Sequence, residues 1–140
     1  MKILLDTCAA LWWWSDSPAL SEAAREAMAD RSNDIFFSAA SACEIFQKAR
    51  LGRLELPGRL RDDFGGTILA EGWSFLPISV TEAMTAASMD HAHRDPFDRL
   101  LAAQAIAGSL SLVSPDAFFR ELQLDLVWQR ADAGRAGSGG

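Results

Sequence analysis

Cysteine is scarce in this chain: Cys8 and Cys43 stand alone, without CxxC spacing and without a histidine cluster nearby. That excludes a disulfide framework and argues for two small side chains rather than a zinc or redox site. Long apolar runs are missing as well. No stretch reaches the roughly 18 to 20 residues a membrane span needs. The start "MKILLDTCAALWWW" is broken by Asp6 and lacks a small-residue cleavage site, so it does not read as a signal peptide. The expectation is a cytoplasmic protein. Basic residues are in deficit, 13 against 19 acids, for a net charge of −6. An acidic surface opposes nonspecific binding of nucleic acid, so any such contact must come from a local basic patch or through metal ions.

What is present fits one domain. The chain has 140 residues, 49% of them hydrophobic, enough to bury a core without disulfides or a structural metal. "KILLD", "DIFFS" and "LSLVS" are short apolar runs of the kind found in strands buried on both faces. "WSFLPIS" and "LDLVW" predict two further strands. Between them, "LSEAAREAMAD", "SAASACEIFQKARLG", "GRLRDDFGGTILAEG", "VTEAMTAASMD" and "DPFDRLLAAQAIAGS" have helical composition and punctuation. Alternating strands and helices predict an α/β fold, a mostly parallel sheet with helices on both faces. The domain is expected over 1–130. The glycine-rich segment 131–140 has no apolar periodicity and reads as a flexible tail.

In such a sheet, ligands gather at the carboxyl ends of the strands. Asp6 closes the first strand, Glu44 follows "DIFFS" in the next helix, Asp98 lies in the first turn of its helix, and Asp116 follows "LSLVS". Purely structural roles compete for three of them. Ser41–Glu44 fits a capping box, Asp95–Asp98 resembles one, and Ser114-Pro115-Asp116 reads as an N-cap, a first-turn proline and an acid. Asp6 is harder to explain that way, because a carboxylate at the end of a buried strand must find a partner or take up a proton. Four carboxylates drawn together would repel strongly, and a hard dication is the usual remedy. Oxygen donors without a His or Cys cluster suit Mg2+ or Mn2+, and an acid cluster holding such ions suits phosphoryl chemistry. A phosphomonoesterase of the DxDxT type is disfavoured, since Cys8 stands where its second aspartate belongs. A receiver domain needs a lysine at a late strand end, and the chain has only Lys2 and Lys48.

Read in order, "LLDTCAALWW", "SAASACEIFQKARLGRLELP", "LPIS", "HRDPFDRLLAAQA" and "LVSPDAFF" resemble the PIN-domain ribonucleases, specifically the VapC toxins of toxin–antitoxin pairs. The resemblance implies a three-layer α/β/α fold with a central parallel sheet and Mg2+- or Mn2+-dependent endonucleolytic cleavage of RNA. It also implies Asp6, Glu44 and Asp98 as metal-binding, catalytic carboxylates with Asp116 as the fourth acid, a VapB-like antitoxin partner, and a homodimer. Cys8, Cys43 and Pro115 depart from the usual pattern. A non-catalytic RNA- or protein-binding module on the same fold is the alternative. For the RNA backbone the candidate track is "QKARLGRLELPGRLR", with Lys48, Arg50, Arg53, Arg59 and Arg61, joined by Arg94 and Arg99 beside the aspartates; a solvated helix face plus a loop is its structural alternative. His91 and His93 read as surface-loop residues. Trp12, Trp13 and Trp14 cannot share one helix face, so they are expected to divide between core and interface.

Overall fold

The computed structural model describes residues 1–129. The expected end of the domain at 130 and the tail 131–140 lie outside the described residues. In chain order the elements are β1 (Lys2–Leu5), α1 (Thr7–Trp14), α2 (Glu22–Ala29), β2 (Asp34–Ser38), α3 (Ala39–Arg50) and α4 (Gly58–Asp62). They continue with α5 (Phe64–Ala70), β3 (Ser74–Leu76), α6 (Val80–Ser88), α7 (Pro96–Gly108), β4 (Ser111–Val113) and α8 (Ala117–Glu121).

The four strands form one parallel sheet in the order β3-β2-β1-β4. Alternation along the strands divides the core between two faces. Ile3, Leu5, Ile35, Phe37 and Val113 join Ala9, Trp14, Met28, Ile45, Leu60 and Ile68 on one side. Leu4 and Leu112 join Leu101, Ala102 and Ala105 of α7 and Phe118 and Phe119 of α8 on the other. The sheet is therefore covered twice, the three-layer α/β arrangement the apolar runs predict. The strand order moves outward from β1 through β2 to β3, then returns to set β4 on the other side of β1. The change of direction falls at β1, where open parallel sheets bind ligands.

Several expectations are corrected. "LDLVW" forms no regular strand; Leu126 makes only an isolated parallel bridge with Leu112 at the sheet edge. The segment expected as one helix over "GRLRDDFGGTILAEG" is two, because Asp63 leaves helical geometry (φ −149°, ψ 75°) and caps α5 by accepting from Gly66 N–H at 3.0 Å. A Cβ on Gly66 would collide with the Asp63 carboxylate, so the cap depends on glycine there. Helix α3 begins before Ser41: Ser38 is its N-cap, accepting from Ala40 N–H at 3.0 Å. The tryptophans separate as expected by angle, Trp14 buried and Trp12 and Trp13 partly so. The indole N–H groups of Trp13 and Trp14 both donate to Glu71 Oε2 at 3.1 Å. Among the described residues, no helix is long and apolar enough to cross a membrane.

Candidate metal centre

Asp6 extends the β1 ladder by one bond, donating its N–H to Val113 O at 3.1 Å, so its side chain leaves the sheet edge between β1 and β4. It is the N-cap of α1 by position, yet its side chain makes no capping bond. Instead Oδ2 accepts from Ser114 Oγ at 2.6 Å and from Cys8 Sγ at 3.5 Å. Burial pushes the Asp6 carboxyl above its usual range, against the pull of these donors, and the charge of Glu44 pushes it further. The Cys8 thiol is driven up by burial and then by the Asp6 charge, which keeps it protonated and a donor. The Asp6 side chain therefore does not serve as the cap of α1.

Glu44 lies in the second turn of α3, not in a capping box: the Ser41 hydroxyl accepts from Thr7 Oγ1 at 2.8 Å, a bond that joins the start of α1 to α3. The Glu44 carboxylate is buried, and only one oxygen is partnered, Oε2 accepting from Lys48 Nζ at 2.7 Å. Among the described residues, Oε1 is buried with no hydrogen-bond partner.

Helix α7 brings in Asp98. Asp95 caps the helix, accepting from Phe97 N–H at 2.9 Å and Asp98 N–H at 3.3 Å. Gln104 fixes the helix laterally by donating to Pro77 O at 3.1 Å and accepting from Ser38 Oγ. Ala102 and Ala105, on the Asp98 face, are buried against the sheet. Burial raises the Asp98 carboxyl to about 7; His93 opposes the rise, and the charges of Asp6, Asp95 and Asp116 add to it. Asp116 is itself the N-cap of α8, accepting from Phe118 N–H at 2.9 Å, while Ser114 Oγ accepts from Asp116 N–H at 3.0 Å. The cap expected at Ser114 is therefore one residue pair later, and Ser114 instead bridges Asp116 to Asp6.

The four acids share one electrostatic site: Asp6 feels Glu44, and Asp98 feels both Asp6 and Asp116. His93 belongs to it too, with ligand atoms of His93, Asp98 and Asp116 within 4.8 Å of one another. The expectation of a surface-loop role for His93 is thus corrected. No local pattern marks it, because its place depends on a loop folding back over α7. The bases divide. Lys48 turns to Glu44, and Arg50, Arg53 and Arg94 are exposed. Arg99 is withdrawn from the phosphate-binding set, since its guanidinium donates to the backbone carbonyls of Met89, His91 and His93.

The donors fit a divalent cation. A buried carboxylate oxygen without a donor costs on the order of 1–3 kcal/mol, and a cation supplies what Glu44 Oε1 lacks. The Asp6 and Asp98 carboxyls, raised first by burial and then by the charges of neighbouring acids, would be stabilised in their charged form by the same ion. An all-carboxylate set with one neighbouring imidazole suits Mg2+ or Mn2+.

Comparison with known proteins agrees with this geometry. The fold resembles that of VapBC2 from Rickettsia felis bound to a DNA fragment from its promoter, with a TM-score of 0.65 at 17% identity over 92% of this chain and 100% of that one. It also resembles FitAcB from Neisseria gonorrhoeae, TM-score 0.59 at 22% identity over 89% and 95% of the two chains. FitAB bound to an IR36 DNA fragment gives 0.61 at 20% identity over 89% and 92%. At these identities the likeness is one of fold. No curated protein matches the sequence. The PIN domain family model matches residues 3–123, nearly the whole described chain; with the parallel sheet and the acids gathered at its carboxyl edge, this chain belongs to the PIN-domain family.

Proposed function

We propose that the protein is a metal-dependent endoribonuclease acting as the toxin of a toxin–antitoxin pair, with Asp6, Glu44 and Asp98 holding Mg2+ or Mn2+ and Asp116 as the fourth acid. The observation that carries this reading is the buried, unpartnered Glu44 Oε1 inside a cluster of carboxylates at the switch point of the sheet. PIN domains are generally nucleases that use divalent metals, which is the family's support for it. Bound there, a divalent ion would polarise a phosphodiester and make water a better nucleophile.

The chain's own groups prepare that site. Ser114 and Cys8 hold Asp6 by Oδ2, the Thr7–Ser41 bond sets α3 against α1, and Gln104 sets α7 against the ends of β2 and β3. Lys48, Arg50, Arg53 and Arg94 would meet the RNA backbone, the first close to the acids and the others exposed. The fold neighbours are toxin–antitoxin complexes, which favours a VapB-like antitoxin as partner and action in the cytoplasm. The exposed apolar side chains Leu69, Phe75, Val80 and Met84 offer area to that partner or to a second copy in a homodimer.

The test is incubation of purified protein with tRNA, rRNA and mRNA panels in Mg2+, Mn2+ or EDTA. Cleavage should require the ion and fall to background in Asp6→Asn and Asp98→Asn, with circular dichroism unchanged. Wild-type cleavage in either variant would remove the assignment. RNA bound but never cut under any ion would favour the non-catalytic binding module.

A further inference from the structure

The segment between α6 and α7 has no helix or strand, yet one side chain ties it down at three carbonyls and also reaches Ala86 O in the last turns of α6. Arg99 Nε donates to His93 O at 3.0 Å, Nη2 to Met89 O at 2.8 Å and His91 O at 3.0 Å, and Nη1 to Met89 O at 2.9 Å and Ala86 O at 3.5 Å. Arg99 directly follows Asp98 on α7, so the loop is clamped to the helix at the position of the acid.

The clamp delivers an imidazole. His91 Nδ1 accepts from His93 N–H at 3.0 Å, which leaves Nε2 to donate to Glu121 Oε1 at 3.0 Å. The His93 ring stacks on Phe118, with centroids 4.2 Å apart and planes 17° apart. Its Nε2 lies 2.9 Å from Asp98 Oδ2. With Asp98 ionised, the form a metal ligand needs, the carboxylate only accepts and Nε2 carries the hydrogen of that bond.

We propose that His93 is a positioning residue for the metal centre, fixing the Asp98 carboxylate through Oδ2 so that its other oxygen serves the ion, and that Arg99 holds the loop presenting His93. The proposal rests on the metal-centre reading above. It asks of His93 what outer-shell partners of metal ligands usually supply: orientation of the ligand, worth about 10- to 100-fold in metal affinity. Arg99 suits its part because a planar fork with five N–H donors can engage several carbonyls together, whereas a lysine ammonium cannot reproduce that array.

The experiment is calorimetric titration of Mn2+ and of Mg2+ into the RNA-free full chain, comparing wild type with His93→Phe, His93→Gln, Arg99→Lys and Asp6→Asn. His93→Phe keeps a ring on Phe118 but has no donor, and should weaken both ions alike by about tenfold or more. His93→Gln, whose amide N–H can reach Asp98, should recover most of the loss. Arg99→Lys should weaken both ions with His93 intact. Wild-type affinity in His93→Phe would overturn the proposal. Loss of Mn2+ binding with Mg2+ binding unchanged would also overturn it, since that pattern marks an imidazole ligating the ion directly. If wild type binds neither ion, the metal-centre reading itself falls; if wild type binds and Asp6→Asn does not, that reading stands whatever His93 does.

Discussion

Lys48 is bonded to the carboxylate that the proposed divalent ion would have to share. Its ammonium lies 2.7 Å from Glu44 Oε2, and this bond, ahead of the charges of Asp95 and Asp98, raises its pKa and keeps it cationic. A tethered monovalent cation at the acid cluster partly neutralises Glu44 in the metal-free protein, and it repels an incoming dication. The same side chain is nearly half exposed, within reach of solvent and so of a phosphate. Lys48→Met therefore separates two roles with opposite signs. Mn2+ should bind the RNA-free variant more tightly, by several-fold, in calorimetry. RNA should bind it more weakly in EDTA, with the salt slope reduced by about one, the signature of one lost phosphate contact. Looser Mn2+ binding would mean that Lys48 organises Glu44 rather than competing with the ion.

Helix α7 separates two aspartates that sequence spacing makes look alike. Asp95 spends Oδ1 on the N–H groups of Phe97 and Asp98, whereas Asp98 is buried and turned to His93. Asp95→Ala should cost about 1 kcal/mol of stability through the lost cap and leave Mn2+ affinity within a few-fold. Asp98→Asn should do the reverse, keeping the fold and losing the ion. Urea denaturation with and without Mn2+ reads both, and a cap variant that lost the ion would reverse the division of labour. The elements themselves were legible wherever burial on both faces wrote a continuous apolar run, as in β1, β2 and β4, and wherever a cap was local, as at Asp95. Legibility failed where a distant group took a local one's partner. Ser41 has the spacing of a capping box, but its hydroxyl is claimed by Thr7 from across the sheet edge, and the cap passes to Ser38. His93 and Arg99 were opaque for the same reason: their roles are set by a loop that folds back onto α7, which no periodicity encodes. "LDLVW" has strand composition, but at the outside edge of β4 it makes only the bridge at Leu126.

Across the whole molecule, charge is concentrated against itself: a net −6 overall, with buried acids gathered at one edge. This makes metal-free stability depend on pH in a definite direction. Burial raises Asp6 above the ordinary carboxylate range and lifts Asp98 to about 7. Between about pH 7 and pH 4 the folded protein holds a proton at Asp98 that the unfolded chain has released, and Asp6, raised as well, acts in the same direction. Stability from this source therefore rises as pH falls through that window, and above pH 7 the repulsion is present in full. A bound divalent ion favours the charged carboxylates instead, and protons compete with it. The expected melting curves thus cross-depend: in EDTA, the melting temperature increases from pH 8 to pH 5.5, while the increment produced by Mn2+ is largest at pH 8 and shrinks on acidification. Asp98→Asn, uncharged at every pH, should flatten the first trend and remove most of the second. A metal-free protein whose melting temperature falls between pH 8 and pH 5.5, to the same extent in wild type and Asp98→Asn, would show that these carboxylates carry no strain for an ion to relieve.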